Sequence, residues 1–256
     1  MSKIDLYKGD CLDVMDELIA KGVVVDAIIT DPPYGTTACK WDSVIPFDEM
    51  WLRLNKLIKP NGAIVLFGSE PFSSALRMSN IKNYKYDWVW HKSKCGSAFT
   101  SKYRPQQKHE IISIFGKWKV NYYPQMREGE PYYRKRKSNK DGEKPNNHKL
   151  GVVSDSETNN KGERYPETVI YFQQKWRRQD QIHPTQKPVA LMEYLIKTYT
   201  NEGELVLDFT MGSGTTGVAC KNLGRDFIGI ELDDKYFEIA KNRIENHKVD
   251  KGLFDE

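Results

Sequence analysis

Apolar positions along the chain fall into two kinds of run. Val23–Ile29 is β-branched and almost continuously apolar, and Ala63–Phe67 repeats that pattern. Unbroken runs of this length predict strands buried on both faces. Residues 10–20 instead space their apolar side chains helically, at Cys11/Leu12, Met15 and Leu18/Ile19, and Gly22 closes the segment. Further strands are predicted at Ile4–Tyr7, Tyr84–Trp90 and Ile111–Phe115. Helices are predicted at residues 46–58, with Pro60-Asn61-Gly62 as their stop, and at Ser73–Met78. The β-α-β-α-β order over the first 115 residues predicts a parallel sheet covered by helices on both sides, an α/β doubly wound architecture. Beyond Thr185 the pattern resumes. Helix Val189–Tyr199 carries Pro188 at its first turn, followed by strand Glu204–Phe209, helix Thr215–Leu223 closed by Gly224, strand Phe227–Glu231 and helix Lys235–Asn246.

The segment between these halves differs in character. Residues 138–164 hold only three aliphatic side chains, Leu150, Val152 and Val153. Such a stretch buries too little surface to offset its ordering entropy. Residues 116–182 are therefore read as an insertion, mobile around 138–164, within a discontinuous domain formed by 1–115 and 183–256. Net charge is only +4, compatible with nucleic acid without requiring it, but its distribution is uneven. Lys117–Lys149 carries ten Lys/Arg against four acids, interleaved with Tyr122, Tyr123, Tyr132 and Tyr133. Arg134-Lys135-Arg136-Lys137 reads as phosphate contact, and Arg177-Arg178 as a second basic pair able to read guanine edges. Lys40-Trp41-Asp42 is a candidate lid or intercalating edge; packing of Trp41 in a core is an equal alternative. The Tyr84/Tyr86/Trp88/Trp90 stripe reads as core.

No apolar run approaches the length of a membrane span, and MSKIDLYKGD lacks a signal-peptide core. Cys11, Cys39, Cys95 and Cys220 are scattered without a C-x-x-C pair, and the five histidines show no metal spacing. A reduced, cytoplasmic protein that needs no metal is expected, associated with the nucleoid while it acts.

Two motifs carry chemistry. Strand Glu204–Phe209 leads into Gly212-Ser213-Gly214-Thr215-Thr216-Gly217 and a helix. Glu231, seventeen residues beyond Gly214, ends the next strand. Glycines let a ligand approach the backbone, and an acid at that place can accept from two ribose hydroxyls. Dinucleotides and S-adenosylmethionine both suit this layout. The second motif, Asp31-Pro32-Pro33-Tyr34, follows a buried parallel strand, where ligands of such sheets bind. An exocyclic base amine is a poor nucleophile because its lone pair is delocalised into the ring. A carboxylate (Asp31) and a rigidly presented carbonyl (Pro32) can accept its two N–H groups and draw the nitrogen toward tetrahedral shape. Tyr34 can stack on a base swung out of its helix.

These residues resemble the amino-methyltransferases of DNA, which methylate adenine N6 or cytosine N4, and their order resembles the beta class. Gly9-Asp10-Cys11 is similar to the segment beside the cofactor's adenine. His183-Pro184-Thr185-Gln186-Lys187-Pro188 is similar to the motif closing over the methionine end, and Asp208 through Thr215 to the LDPFxGSGT loop. The family carries Pro-Phe after the aspartate where this chain has Phe209-Thr210. The resemblance implies a seven-stranded, mostly parallel Rossmann-like sheet with one antiparallel strand and circularly permuted motifs. It implies S-adenosylmethionine held by Asp10, Cys11, Lys187, Asp208, Phe209, Thr210, Gly212, Gly214, Thr215 and Glu231, and catalysis by Asp31, Pro32, Pro33 and Tyr34. The target it implies is double-stranded DNA. Asp rather than Ser at 31 leans toward adenine. A homodimer and a cognate restriction endonuclease are partners the resemblance allows. A catalytically silent DNA-binding regulator and a dinucleotide-dependent oxidoreductase are the alternatives from other classes.

Overall fold

The computed structural model describes residues 2–36, 42–95, 101–136, 156–174 and 186–249. In chain order, β1 (Ile4–Lys8), α1 (Cys11–Ala20), β2 (Val25–Thr30), α2 (Phe47–Leu57), β3 (Ile58–Gly68), α3 (Phe72–Ser79), β4 (Tyr84–Lys92) and β5 (His109–Phe115) form the first half. Short strands β6 (Arg127–Glu128), β7 (Tyr132–Arg136), β8 (Ser156–Asn160) and β9 (Glu163–Arg164) follow. The chain continues with β10 (Val169–Phe172), α4 (Val189–Tyr199), β11 (Leu205–Asp208), α5 (Thr215–Asn222), β12 (Asp226–Glu231) and α6 (Asp234–Glu245).

The main sheet has the order β1-β12-β11-β2-β3-β5-β4-β10. All its pairings are parallel except those of β5 with β3 and β4. The sheet is thus eight-stranded rather than seven-stranded. The additional edge strand, Val169–Phe172, lies in the stretch assigned to the insertion and pairs in parallel with Val89–Lys92.

Side chains along the central strands alternate between two cores, as a two-faced sheet requires. Ala27, Ile29, Val65 and Val206 pack with Leu195 and Ile196 of α4, Val218 of α5 and Ile244 of α6. Ile28, Ile64, Leu66 and Leu207 pack on the opposite face with Met15 and Leu18 of α1 and Met50 and Leu54 of α2. The aromatic stripe of β4 divides between the two faces: a register shift between Tyr84 and Tyr86 sends Tyr84 to the second core and Tyr86, Trp88 and Trp90 to the first. In β3, Pro60-Asn61-Gly62 forms no terminus. Pairing steps from Val25↔Ile58 to Ala27↔Ala63, so the turn residues make a local irregularity within one strand.

The chain divides into two compact units, Met1–Tyr123 with Thr168–Glu256, and Pro124–Glu167. The second is narrower than the insertion expected at 116–182, because residues 116–123 and 168–174 pack with the sheet unit. Inside it β7 pairs with β8 and β6 with β9, both antiparallel. Within the stretch expected to be mobile, Ser156–Asn160 and Glu163–Arg164 form strands. Backbone pairing orders a segment that has no aliphatic side chains to bury. The remainder of 138–164, residues 138–155, lies outside the described residues.

Candidate active site

The chain leaves β11 through α5 toward β12 and leaves β2 through α2 toward β3, in opposite directions along the sheet. The carboxyl ends of β11 and β2 are neighbours, and the gap between their departing loops is where α/β sheets take ligands. A cleft of about 320 Å³ opens there, the size of a small-molecule site. Its walls bring together the expected Asp10 and Cys11 at the start of α1, Asp31–Tyr34 after β2, Lys187, the Asp208–Gly212 loop with Thr215, and Glu231. Asp31 and Asp208, remote in sequence, share a wall: the Thr210 hydroxyl donates to the Asp31 carbonyl at 3.1 Å.

The glycine loop is held from several sides. Gly212 (φ +53°) and Gly214 (φ +76°) take the left-handed conformation that glycine favours. The Glu231 carboxylate accepts from Gly212 N–H and Asp233 N–H, both at 2.9 Å, which fixes its orientation along the cleft wall. Asp208, expected at the cofactor, lines the cleft and also ties the loop to its neighbours. It is nearly fully buried, and its two oxygens accept from the Thr30 and Thr216 hydroxyls and from Thr210 N–H. Burial, only partly offset by these donors, pushes its carboxyl up to about 6. It bolts the loop to β2. Phe209 is likewise buried in the second core, with its N–H donating to Thr30 Oγ1 at 3.0 Å. Arg243 of α6 braces the loop through Ser213 O and Thr215 Oγ1, each at 3.0 Å. Asp10 caps α1 by accepting from Leu12 N–H at 2.8 Å. Burial and the Asp10 charge push the neighbouring Cys11 thiol up to about 12, so it stays protonated.

At the other end of the cleft, Asp31 accepts from the Tyr34 hydroxyl on one oxygen and from the Lys187 ammonium on the other. Burial pushes the Asp31 carboxyl above its ordinary range, against the pull of Lys187. The Tyr34 phenol is held well above its usual value by burial and then by the Asp31 and Glu110 charges, so it remains a donor. Its ring stacks on Phe72, centroids 5.0 Å apart. Lys187, expected at the cofactor, lines the cleft with its ammonium on Asp31 and 3.4 Å from Glu110. Burial lowers its pKa, but those two carboxylates overcome this and leave it raised.

Sequence reasoning missed two participants. Glu110, on β5, carries no motif. Asp42 was read only as the end of a Lys40-Trp41-Asp42 lid. It is buried, and its two oxygens accept from Gly35 N–H and Thr36 N–H at 2.9 Å each, pinning the turn that presents Tyr34. An acid a few residues after an exposed glycine turn was the available signal. Asp42→Ala should therefore cost about 1–3 kcal/mol of stability in urea unfolding and speed hydrogen exchange at the Gly35 and Thr36 amides. Unchanged exchange at both would contradict this role.

Of the residues expected to touch DNA, Arg134, Lys135 and Arg136 lie exposed on β7. Strand alternation puts Arg134 and Arg136 on one face with Tyr132, while Lys135 pairs with Glu157 at 2.5 Å. Lys40, Trp41, Lys137, Arg177 and Arg178 lie outside the described residues, as does His183. Among the described residues, no helix is long and apolar enough to cross a membrane.

Fold and cleft together define an α/β protein with a glycine-loop ligand site beside an acid-led Asp-Pro-Pro-Tyr turn. The family model of N6/N4 methyltransferases, described as DNA methylase, matches residues 25–242, and the chain belongs to that family. It is 31% identical to the Type II methyltransferase M.HpaI of Haemophilus parainfluenzae over 238 residues, covering 87% of this chain and 68% of that protein. It is 29% identical to M2.DpnII of Streptococcus pneumoniae, covering 95% and 90%. Among solved structures, M1.HpyAVI in complex with SAM superposes with a TM-score of 0.66 at 31% identity, covering 94% of this chain and 98% of that one. The cytosine-N4-specific PvuII DNA methyltransferase, at 16% identity and a TM-score of 0.62, shares the fold.

Proposed function

We propose that the chain transfers a methyl group from S-adenosylmethionine to the N6 amine of adenine in double-stranded DNA, at a specific site, with the base flipped out of the helix. The observation that carries this reading is the convergence of Asp31 and the Asp208–Gly212 loop on one cleft wall, joined by the Thr210–Asp31 hydrogen bond. The residues present suit the cofactor. Glu231 is fixed by two backbone donors and retains lone pairs for ribose hydroxyls. Gly212 leaves the loop backbone bare on the cleft wall, and the cleft runs on to Asp31. When bound, the cofactor supplies an electrophilic methyl on a positively charged sulfur.

The chain's own groups prepare the amine. The Asp31 carboxylate accepts one N–H and the Pro32 carbonyl the other, which frees the nitrogen lone pair. Tyr34, backed by Phe72, offers its ring to the flipped base. Once methylated, the nitrogen would carry positive charge and become acidic, and the Asp31 carboxylate would take its proton. Much of the acceleration would come from the cleft holding the two reactants in a fixed orientation, an effect of up to about 7–11 kcal/mol. The exposed Tyr132, Arg134 and Arg136 face, with Lys137, Arg177, Arg178, Lys40 and Trp41, is assigned to the DNA, the basic groups meeting phosphates and base edges. A homodimer and a restriction endonuclease recognising the same site belong to this reading as partners; light scattering and cleavage-protection assays test them.

Glu231→Ala should raise the Kd for S-adenosylmethionine about 100-fold, the loss of two hydrogen bonds to a charged acceptor, with little change in kcat at saturating cofactor. Calorimetry checks this, and an unchanged Kd would remove Glu231 from the cofactor site. Cytosine N4 methylation uses the same groups. Mass spectrometry of nucleosides from treated DNA separates the two bases.

A further inference from the structure

We infer that Glu110 is a positioning residue that receives Lys187 when the substrate amine displaces it from Asp31. The inference rests on the proposed reading of the cleft and adds to it a place for the lysine to go. Both Asp31 oxygens already hold a donor, the Tyr34 hydroxyl on one and the Lys187 ammonium on the other. An arriving N–H competes with them, and the ammonium opposes the positive charge that builds on nitrogen as the methyl is transferred. Lys187 therefore has to loosen its hold on Asp31, and in a buried site it cannot do so without another acceptor.

The structure contains that acceptor. Glu110 Oε2 lies 3.4 Å from Lys187 Nζ, is buried, and has no hydrogen-bond partner among the described residues. A buried acceptor without a donor is costly, so a small swing of Nζ satisfies an oxygen already waiting for it. Its twin, Oε1, is tied to Lys92 Nζ at 3.0 Å, which fixes the carboxylate. Antiparallel pairing of β5 with β4 sets this up, with Glu110 opposite Trp90 and Lys92 two residues along. The Phe67 ring, 5.1 Å from Nζ, lines the lysine's path. Burial raises the Glu110 carboxyl, but Lys187 and Lys92 prevail and hold it below its usual range, so it is a charged acceptor at neutral pH.

The test compares Glu110→Gln and Lys92→Met with the wild-type chain. Turnover is measured on PCR-amplified, hence unmethylated, genomic DNA with saturating S-adenosylmethionine across pH 5.5–9, alongside calorimetric cofactor binding. The groups facing Asp31 are Tyr34 on its own turn, Lys187 ahead of α4, Glu110 on β5 with Lys92 behind it, and Asp208 on β11. Glu110→Gln removes the charge that draws Lys187 off Asp31. Its kcat should fall about 10–100-fold, the worth of one charged hydrogen bond, with KM for DNA and cofactor Kd within twofold and the acid limb of kcat at lower pH. Lys92→Met frees Glu110 for Lys187 and should move that limb to higher pH.

Shifts of the same sign in both variants, an unmoved limb, or a loss of cofactor affinity equal to the loss of kcat would overturn the inference. Carboxyl carbon NMR titration of Asp31 reads the same shifts without turnover. A wild-type chain that methylates no DNA would defeat the functional reading alone, and opposite Asp31 shifts in the two variants would still uphold the Glu110 assignment.

Discussion

Asp31→Ala is expected to lower the rate of methyl transfer about 1,000-fold or more while leaving the Kd for S-adenosylmethionine within twofold. In the proposed reaction the side chain has two jobs at the reacting nitrogen. It accepts the N–H that must be held for the lone pair to localise, and it takes the proton as the new bond forms. Positioned proton acceptance alone is worth about 100–10,000-fold, and orientation adds to it. The end of the cleft proposed for the cofactor is built from Gly212, Glu231 and the α1 turn, and the Glu231–Gly212 hydrogen bond does not involve the Asp31 carboxylate. The fold should tolerate the change because Lys187 retains Glu110 as a partner. Single-turnover kinetics with labelled methyl donor, together with calorimetry, give both numbers. Near-normal turnover would reject the mechanism, and lost cofactor affinity would move Asp31 into the cofactor site. Burial raises the Asp31 pKa, and only its ionised form accepts. The wild-type rate should therefore fall as pH drops through that raised value.

The second large effect is on stability. Lys187→Met leaves the Asp31 and Glu110 carboxylates buried without their shared cation, a change of the kind that costs about 3–5 kcal/mol. The sign of its pH dependence is fixed. Lys187 is raised above its ordinary value of 10.5, so its stabilisation is complete below that pH and lost as pH rises through the folded-state value. Without it the two carboxyls rise, so the variant's deficit should be largest near pH 8 and shrink toward pH 5. Urea unfolding across that range tests it. A deficit that grows on acidification would contradict the ion cluster.

Much of the fold was legible because each central strand is a buried apolar run and each helix carries its own stripe. The strands from Val25 to Thr30 and from Leu205 to Asp208 needed no tertiary knowledge to find. Val169–Phe172 was not found as part of the sheet, since four residues with alternate side chains exposed give too little pattern at an edge. The turn signal of Pro60-Asn61-Gly62 was real but local, and only pairing with β2 shows the strand running through it. In the polar unit, Ser156–Asn160 is ordered through backbone pairing that hydrophobic patterning does not record. Both motifs of the site were visible, because a glycine loop and an Asp-Pro-Pro-Tyr turn each demand particular residues. The Asp31–Lys187–Glu110 cluster was not, because ion pairs across such sequence distances are created by the topology.

The account is tested most directly by incubating unmethylated duplex DNA with the chain and methyl-labelled S-adenosylmethionine, then digesting to nucleosides for mass spectrometry. Label in N6-methyladenine, absent with Asp31→Ala, is the predicted result. Label in N4-methylcytosine would contradict the choice of base, and label on a ring carbon, or none with cofactor bound, would contradict amine activation by Asp31 altogether.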